Sequence, residues 1–316
     1  MKRLNFLLLA SLFAFSVCFF SCTDDETDNP SITVTARWGS DSKLIDSDDE
    51  IRGDQGLMVT LDVVYEMGKN KLSSVQLLSR VEGRSEVTAL DSTFAGGFFG
   101  GSKEFQFQYQ TNIGKENEEL TITGTDSKDR ITSITITIKV KEEEIVIPPG
   151  EEYVYVLSPV TQLGAQAHTT LGSFYSFGLG KVFTLRAASE SSRDVDFAYW
   201  VGPEMFSPAQ AAADAKKYSS TNNTINPASW AYKNATKFAE VSGVQATADP
   251  NGWYKEWWDD ATDDLANGAD KITLSNNSVI AFKTSKGEQG AFIVTAIGSG
   301  TTGTISIKII ERKEKE

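Results

Sequence analysis

Cysteine and histidine are almost missing from this chain, with two of the first and one of the second in 316 residues. Both cysteines, Cys18 and Cys22, lie near the N-terminus. None remains further on to staple a domain by a disulfide, and a zinc site has no Cys/His ligand set to draw on. A Ser-His-Asp triad would depend wholly on His168, which stands between Ala167 and Thr169. Basic charge is short as well. Against 43 Asp and Glu there are 30 Lys and Arg, a formal net charge of −13. A surface of that sign repels nucleic acid and anionic lipid. The densest glycine stretch, Gly96-Gly-Phe-Phe-Gly-Gly101, is not followed by a Lys-Ser/Thr pair and a helix, so it is no phosphate cradle. Carboxylates abound, yet none sits in a distinctive motif for paired acid–base work. These absences predict a non-enzymatic protein with no catalytic residue, no cofactor and no nucleic-acid partner.

What is present begins with an address. Lys2 and Arg3 precede an apolar run from Leu7 to Phe20, which is too short to span a bilayer and has the form of a secretory signal. The run ends in Phe19-Phe20-Ser21-Cys22, a small residue directly before a cysteine. That ending resembles the lipobox of bacterial lipoproteins, with Phe19 where the usual pattern has Leu. The resemblance implies that residues 1–21 are cleaved and that Cys22 is the lipidation site, anchoring the chain through acyl chains. Loss of Lys2 and Arg3 with the signal takes the net charge from −13 to −15. Residues 22–30, rich in Asp and Glu, read as an acidic tether. An acidic cluster just after the cysteine resembles the surface-export signal of Bacteroidetes lipoproteins. It implies a protein on the outer membrane, facing the cell exterior.

The clearest internal boundary is Lys141-Glu-Glu-Glu-Ile-Val-Ile-Pro-Pro-Gly150, where a charge run passes into a Pro-Pro-Gly that no strand can continue. Residues 142–150 are therefore read as a linker between units that fold independently. Before it, residues 31–141 read as strands without helical periodicity. Ser31–Trp38, Leu57–Tyr65, Lys103–Gln110 and Ile134–Val140 all alternate or are rich in β-branched residues. Short strands with turn signals between them predict a two-sheet sandwich. The stretch Leu120–Ile136, two strands flanking a polar Asp-containing hairpin, resembles the immunoglobulin-like modules of Bacteroidales surface lipoproteins and implies architecture alone.

Residues 151–316 read as a larger β-rich domain carrying two short helices. Strands are expected at 153–157, 182–185, 195–201, 279–284, 291–297 and 304–310. The last three resemble the C-terminal strands of uncharacterised Bacteroidales lipoprotein domains, which carry no activity with them. Ser207-Pro208-Ala209-Gln210 opens a helix predicted over 207–218, with Ser at the N-cap, Pro at the first helical position and Gln three residues after the Ser. Asp249-Pro250 opens the second, over 249–267, which Asn267-Gly268 ends.

Aromatic side chains supply the candidate ligand-binding residues. At about 100° per residue, the second helix gathers Trp253, Trp257, Ala261, Tyr254, Leu265 and Trp258 on one arc. Such an arc either packs into a core or, through an edge ring such as Trp253 or Trp258, faces a ligand. Tyr199 and Trp200 end a strand and point to opposite faces, leaving one of them free to stack. Phe98 and Phe99, between glycines, either insert into a partner or fold back over the sandwich end. Asp46, Asp48 and Asp49 are dense enough in oxygen to be considered for Ca²⁺, but the stretch is no EF-hand loop and a solvated charged loop is the better reading, so no metal site is expected. Two functional readings follow, with a hydrolase built on some pair of the many carboxylates as a third and weaker one. One is a surface binding protein whose distal domain captures an extracellular glycan or related polymer. The alternative is an adhesion or assembly protein that meets other proteins through strand edges or the GGFFGG loop.

Overall fold

The computed structural model describes residues 30–46, 49–95, 97–98, 104–141, 152–214, 226–241, 265 and 267–314. The chain is mainly β, as predicted: nineteen strands form four sheets among the described residues, accompanied by two short helices. No described helix is long and apolar enough to cross a membrane.

The N-terminal half packs two sheets face to face. One runs β2 (Asp41–Ile45), β1 (Ser31–Trp38), β4 (Met58–Glu66), β7 (Glu104–Asn112) in spatial order. The other runs β3 (Glu50–Gly53), β9 (Ile131–Val140), β8 (Glu118–Asp126), β5 (Leu72–Val81), β6 (Val87–Thr93). All pairings are antiparallel except β3 with β9. The period-2 pattern decides which side chains go in. Val59, Leu61 and Val63 from β4 meet Leu120 and Ile122 from β8 and Ile136 and Ile138 from β9 in one core.

The hairpin between β8 and β9 is held by one carboxylate. Asp126 accepts from the backbone N–H groups of Lys128 and Arg130, from the Arg130 guanidinium at 2.7 Å and from Asn70. Burial pushes its pKa up, but these donors more than offset it and hold the group at about 2.

In the C-terminal half, β10 (Tyr153–Gly164), β19 (Thr304–Glu314), β18 (Gln289–Ile297), β17 (Val279–Lys283) and β15 (Lys237–Glu240) form an antiparallel outer sheet. An inner sheet has the order β12 (Lys181–Phe183), β11 (Phe174–Ser176), β13 (Phe197–Trp200), β14 (Glu204–Phe206), β16 (Lys271–Thr273). The inner sheet is covered on both faces, and strand alternation sorts its residues. Tyr175, Val182, Phe197, Tyr199 and Met205 face the outer sheet, where they join Phe282, Phe292 and Ile307. Phe174, Phe183, Ala198 and Phe206 face the other way, onto Ala187, Ala188, Ala211 and Trp230. Phe197 is the hub of the first core. It stacks on Tyr175 with ring centroids 5.0 Å apart and meets Phe282 edge-on at 5.4 Å.

Helix predictions need correction. A helix α1 (Leu185–Glu190) was not anticipated and begins inside the region read as strand 182–185. Thr184 leaves the strand and caps it, its Oγ1 accepting from the Ala187 N–H at 3.3 Å. The helix expected from Ser207 starts there, with the Ser207 hydroxyl accepting from the Gln210 N–H, but α2 spans only Pro208–Ala213. Asp214 is its C-cap, its N–H still bonded to Gln210 but its ψ of 39° outside the helical range. The helix predicted over 249–267, with Trp253, Trp257 and Trp258, lies outside the described residues except for Leu265 and Asn267; Leu265 is buried with Tyr155 and Val279.

Candidate functional site

The two halves meet through a buried polar lock. Lys181, at the start of β12, is 2% exposed and donates to Thr111 Oγ1 at 2.5 Å, to the Asn112 carbonyl at 3.1 Å and to Glu118 of β8. All three of its protons are used. The second oxygen of Glu118 accepts from the Ser79 hydroxyl at 2.5 Å. Beside it, the Asn112 side chain donates to the Gly180 carbonyl at 2.5 Å and accepts from the Val182 N–H at 2.8 Å. Val81 and Val87 from the N-terminal half complete the hydrophobic layer with Phe174, Leu179 and Phe183. Gly180 has φ of +61°, and a Cβ there would stand 3.1 Å from both Gln55 and Lys115, so the turn and the close approach both require glycine. The halves are thus tied through a desolvated network.

Next to this lock the halves part into a cleft of about 570 Å³. Its N-terminal wall is Asp54 and Gln55 from the β3–β4 loop, Lys115 from the β7–β8 turn, and Val140 and Lys141 at the end of β9. The opposite wall is Val156, Leu157, Ser158 and Pro159 on β10 with Lys308, Glu311 and Lys313 on β19. The β10 wall is shaped by a bulge: pairing with β19 jumps from Leu157↔Ile310 to Val160↔Lys308. Pro159 has no N–H to give the ladder, and the Ser158 hydroxyl accepts the Ile309 N–H at 2.8 Å instead. A second depression of about 380 Å³ shares Lys115, Glu311 and Lys313 and runs on past Phe177, Gly287 and Glu288. Together they make an elongated groove.

Glu311 anchors the middle of that groove. Its side chain is 7% exposed and receives Lys115 at 3.2 Å, Lys313 at 3.1 Å and the Gln55 amide at 3.2 Å. Lys115 also lies 4.5 Å from the centroid of the Phe177 ring. Asp54 faces Lys141 at 3.7 Å. Lys308 is half-buried and has no ion pair among the described residues. Lys115, Lys141, Lys308 and Lys313 against Asp54 and Glu311 leave the first depression two positive charges in excess. In a chain of net charge −13 that is a local reversal of sign. Both carboxylates are engaged by cations, an arrangement suited to holding a ligand.

The aromatic candidates lie elsewhere. Tyr199 is 1% exposed, inside the second core, which takes it off the surface. Trp200 points to the opposite face, as alternation required, but is half-buried against the other core and 6.5 Å from Phe206. Phe98 folds back: its ring meets Phe94 at 5.5 Å and Phe105 at 5.1 Å, both edge-on. Phe99, Trp253 and Trp258 lie outside the described residues, as do Cys22 and Asp48. Asp49 is committed to Lys43 at 2.5 Å and to the Asp46 N–H at 2.9 Å, so its oxygens serve the loop. Asp46 is exposed, and no group of three or more His, Cys, Asp or Glu among the described residues has metal-site geometry. His168 closes its own turn, Nδ1 accepting from the Leu171 N–H at 3.0 Å.

Because Phe98 packs on two rings while staying half-buried, Phe98→Ser is expected to destabilise the chain by about 1–2 kcal/mol. A urea melt measures it. An unchanged midpoint would mean that the ring is free for a partner.

No protein-family model matches the chain, and no curated protein matches it in sequence. The class of the protein is therefore set by its architecture: a mainly β chain of two docked halves with a charged groove at their junction.

Proposed function

We propose that the protein is a non-enzymatic, lipid-anchored binding protein of the cell exterior that captures an extracellular glycan or related polymer. The observation that carries this reading is the open groove beside the junction of the halves, with most of the lining of its first depression supplied by β10 and β19 of the C-terminal half. A volume of about 570 Å³ falls in the range of roughly 300–1,000 Å³ common to ligand sites. Its continuation past Phe177 suits an extended chain better than a compact molecule. The signal-like leader, Cys22 and the acidic tether support the location, since a lipid at that cysteine would leave both halves outside the membrane. In this arrangement the N-terminal sandwich, immunoglobulin-like by its sequence, is both a spacer and one wall of the site. Phe98 turns inward, which takes that one ring away from the alternative reading of adhesion through strand edges or the GGFFGG loop.

The test is affinity electrophoresis of the soluble chain from Thr23 onward through gels containing a panel of plant, host and microbial polysaccharides. Retardation on at least one is expected. Unchanged mobility on all of them overturns the proposal.

A further inference from the structure

The sign of the groove narrows the ligand. The geometry points to an acidic glycan, one bearing carboxylate or sulfate groups, with its anionic residue in the first depression beside Lys308 and Lys141. This inference rests on the binding reading above.

Charge placement argues for it. A protein of net charge −13 gathers four lysines around one depression and matches them with only two carboxylates. Lys115 and Lys313 share a single counter-ion, Glu311, and so carry one unneutralised charge between them. Lys308 has no ion pair among the described residues, and the Lys141 pair is long at 3.7 Å. Two lysines are thus available to an incoming anion without breaking a tight contact. Each is a rotatable point charge with three donors, able to meet a carboxylate or a sulfate. The surroundings fit the rest of a sugar. Val156 and Pro159 give apolar surface for the face of a pyranose ring, and the Gln55 amide, bonded to Glu311, lines the same depression. The second depression shares Lys115, Lys313 and Glu311 with the first and adds only Arg312 against Glu288 and Glu314, so the groups of its own bring no positive excess. An anionic residue followed by an uncharged or weakly charged one matches that division. A fully neutral glycan would leave the excess of the first depression unused.

The probes are polygalacturonate for carboxylate and dextran sulfate for sulfate, with carboxyl-reduced polygalacturonate and dextran as their neutral counterparts. The chain from Thr23 onward should bind at least one anionic polymer and not its neutral counterpart, more weakly as salt is raised. The anionic probe that is retained tells carboxylate from sulfate. Lys308→Gln and Lys141→Gln should each weaken binding about tenfold, as loss of a charged hydrogen bond does. Both side chains reach solvent, so the fold should survive, and an unchanged melt of each variant checks it. Lys43→Gln, on β2 away from the groove, should bind as the wild type does. Retention on neutral polymers alone would leave the binding reading standing and overturn the acidic ligand. Acidic binding untouched by the double variant Lys141→Gln/Lys308→Gln would overturn the site. Failure to bind any polymer would remove both.

Discussion

Lys181→Met should cost the full chain about 3–5 kcal/mol, the usual effect of removing one member of a buried ion pair. The reason lies in what stays behind. Glu118 is 3% exposed and would keep only the Ser79 hydroxyl, while Thr111 Oγ1 and the Asn112 carbonyl would each lose the Lys181 donor. A carboxylate stranded away from water is expensive in a way that the lost attraction alone does not express. The double variant Lys181→Met/Glu118→Gln removes the charge together with its partner. It should regain at least about 2 kcal/mol of the loss, since replacing both members of such a pair is often nearly neutral. Urea unfolding at neutral pH, followed by far-UV circular dichroism, reads both numbers. A single variant that costs less than about 1 kcal/mol would mean that water reaches Glu118 and that the junction is open.

The same network bears on how the halves unfold. The Pro-Pro-Gly of residues 142–150 reads as a boundary, and a cut there need not separate the halves. Lys181 to Glu118, Asn112 to Gly180 and Val182, and the Lys115 N–H to the Leu179 carbonyl at 2.8 Å all cross the junction. Splitting it would expose Val81, Val87 and Leu179, which are buried in one layer. Cleavage in the linker is therefore expected to leave two fragments that remain associated under native conditions.

The strands were legible wherever alternation was long and apolar. Ser31–Trp38, Met58–Glu66, Glu104–Asn112 and Ile131–Val140 stand within a residue or three of where their pattern placed them. Short strands were not. Phe174–Ser176 and Glu204–Phe206 have three residues each, too few to show a period, and neighbouring strands of the same sheet supply their partners on either side. Helix α1 carries a readable Thr184 cap, but the apolar Val182-Phe183 before it made the whole stretch look extended. Tyr199 and Trp200 illustrate a different limit. Their alternation was correct, yet it gave no sign that the inner sheet is covered on both faces. The groove was invisible for a related reason. Lys115, Lys141, Lys308 and Lys313 belong to separate stretches of chain, and only the docking of the halves brings them together. The Lys181 lock was invisible too, because nothing local to that lysine announces a carboxylate 63 positions earlier.

Raising the pH from about 3 to about 7 should remove roughly 3 kcal/mol of stability through Asp196. This residue follows Val195 just before β13 and is fully buried. One carboxylate oxygen accepts from the Phe177 N–H at 2.7 Å; the other has no hydrogen-bond partner. Burial pushes its pKa up most strongly. The Lys286 charge and the Phe177 N–H pull it back, Glu288 pushes it up again, and the group settles at about 6 against an ordinary 3.8. The folded pKa therefore lies above the unfolded one. Below about pH 3 both states hold the proton and the group has no effect. Between about 4 and 6 the unfolded chain has mostly released it while the folded chain mostly keeps it, so stability falls as pH rises, and above about 7 the loss is complete. A shift of about two units corresponds to roughly 3 kcal/mol. His168 opposes the trend in wild type, because burial lowers its pKa and its neutral form is favoured in the fold as pH rises. Asp196→Asn isolates the carboxylate, since the variant keeps His168 and loses only the titrating group. The stability of wild type minus that of Asp196→Asn, taken from urea melts every half pH unit, should decline across pH 3–7, most steeply between 4 and 6, and then level off. A flat difference would show that Asp196 ionises as freely in the folded chain as in the unfolded one, and that its second oxygen finds a partner after all.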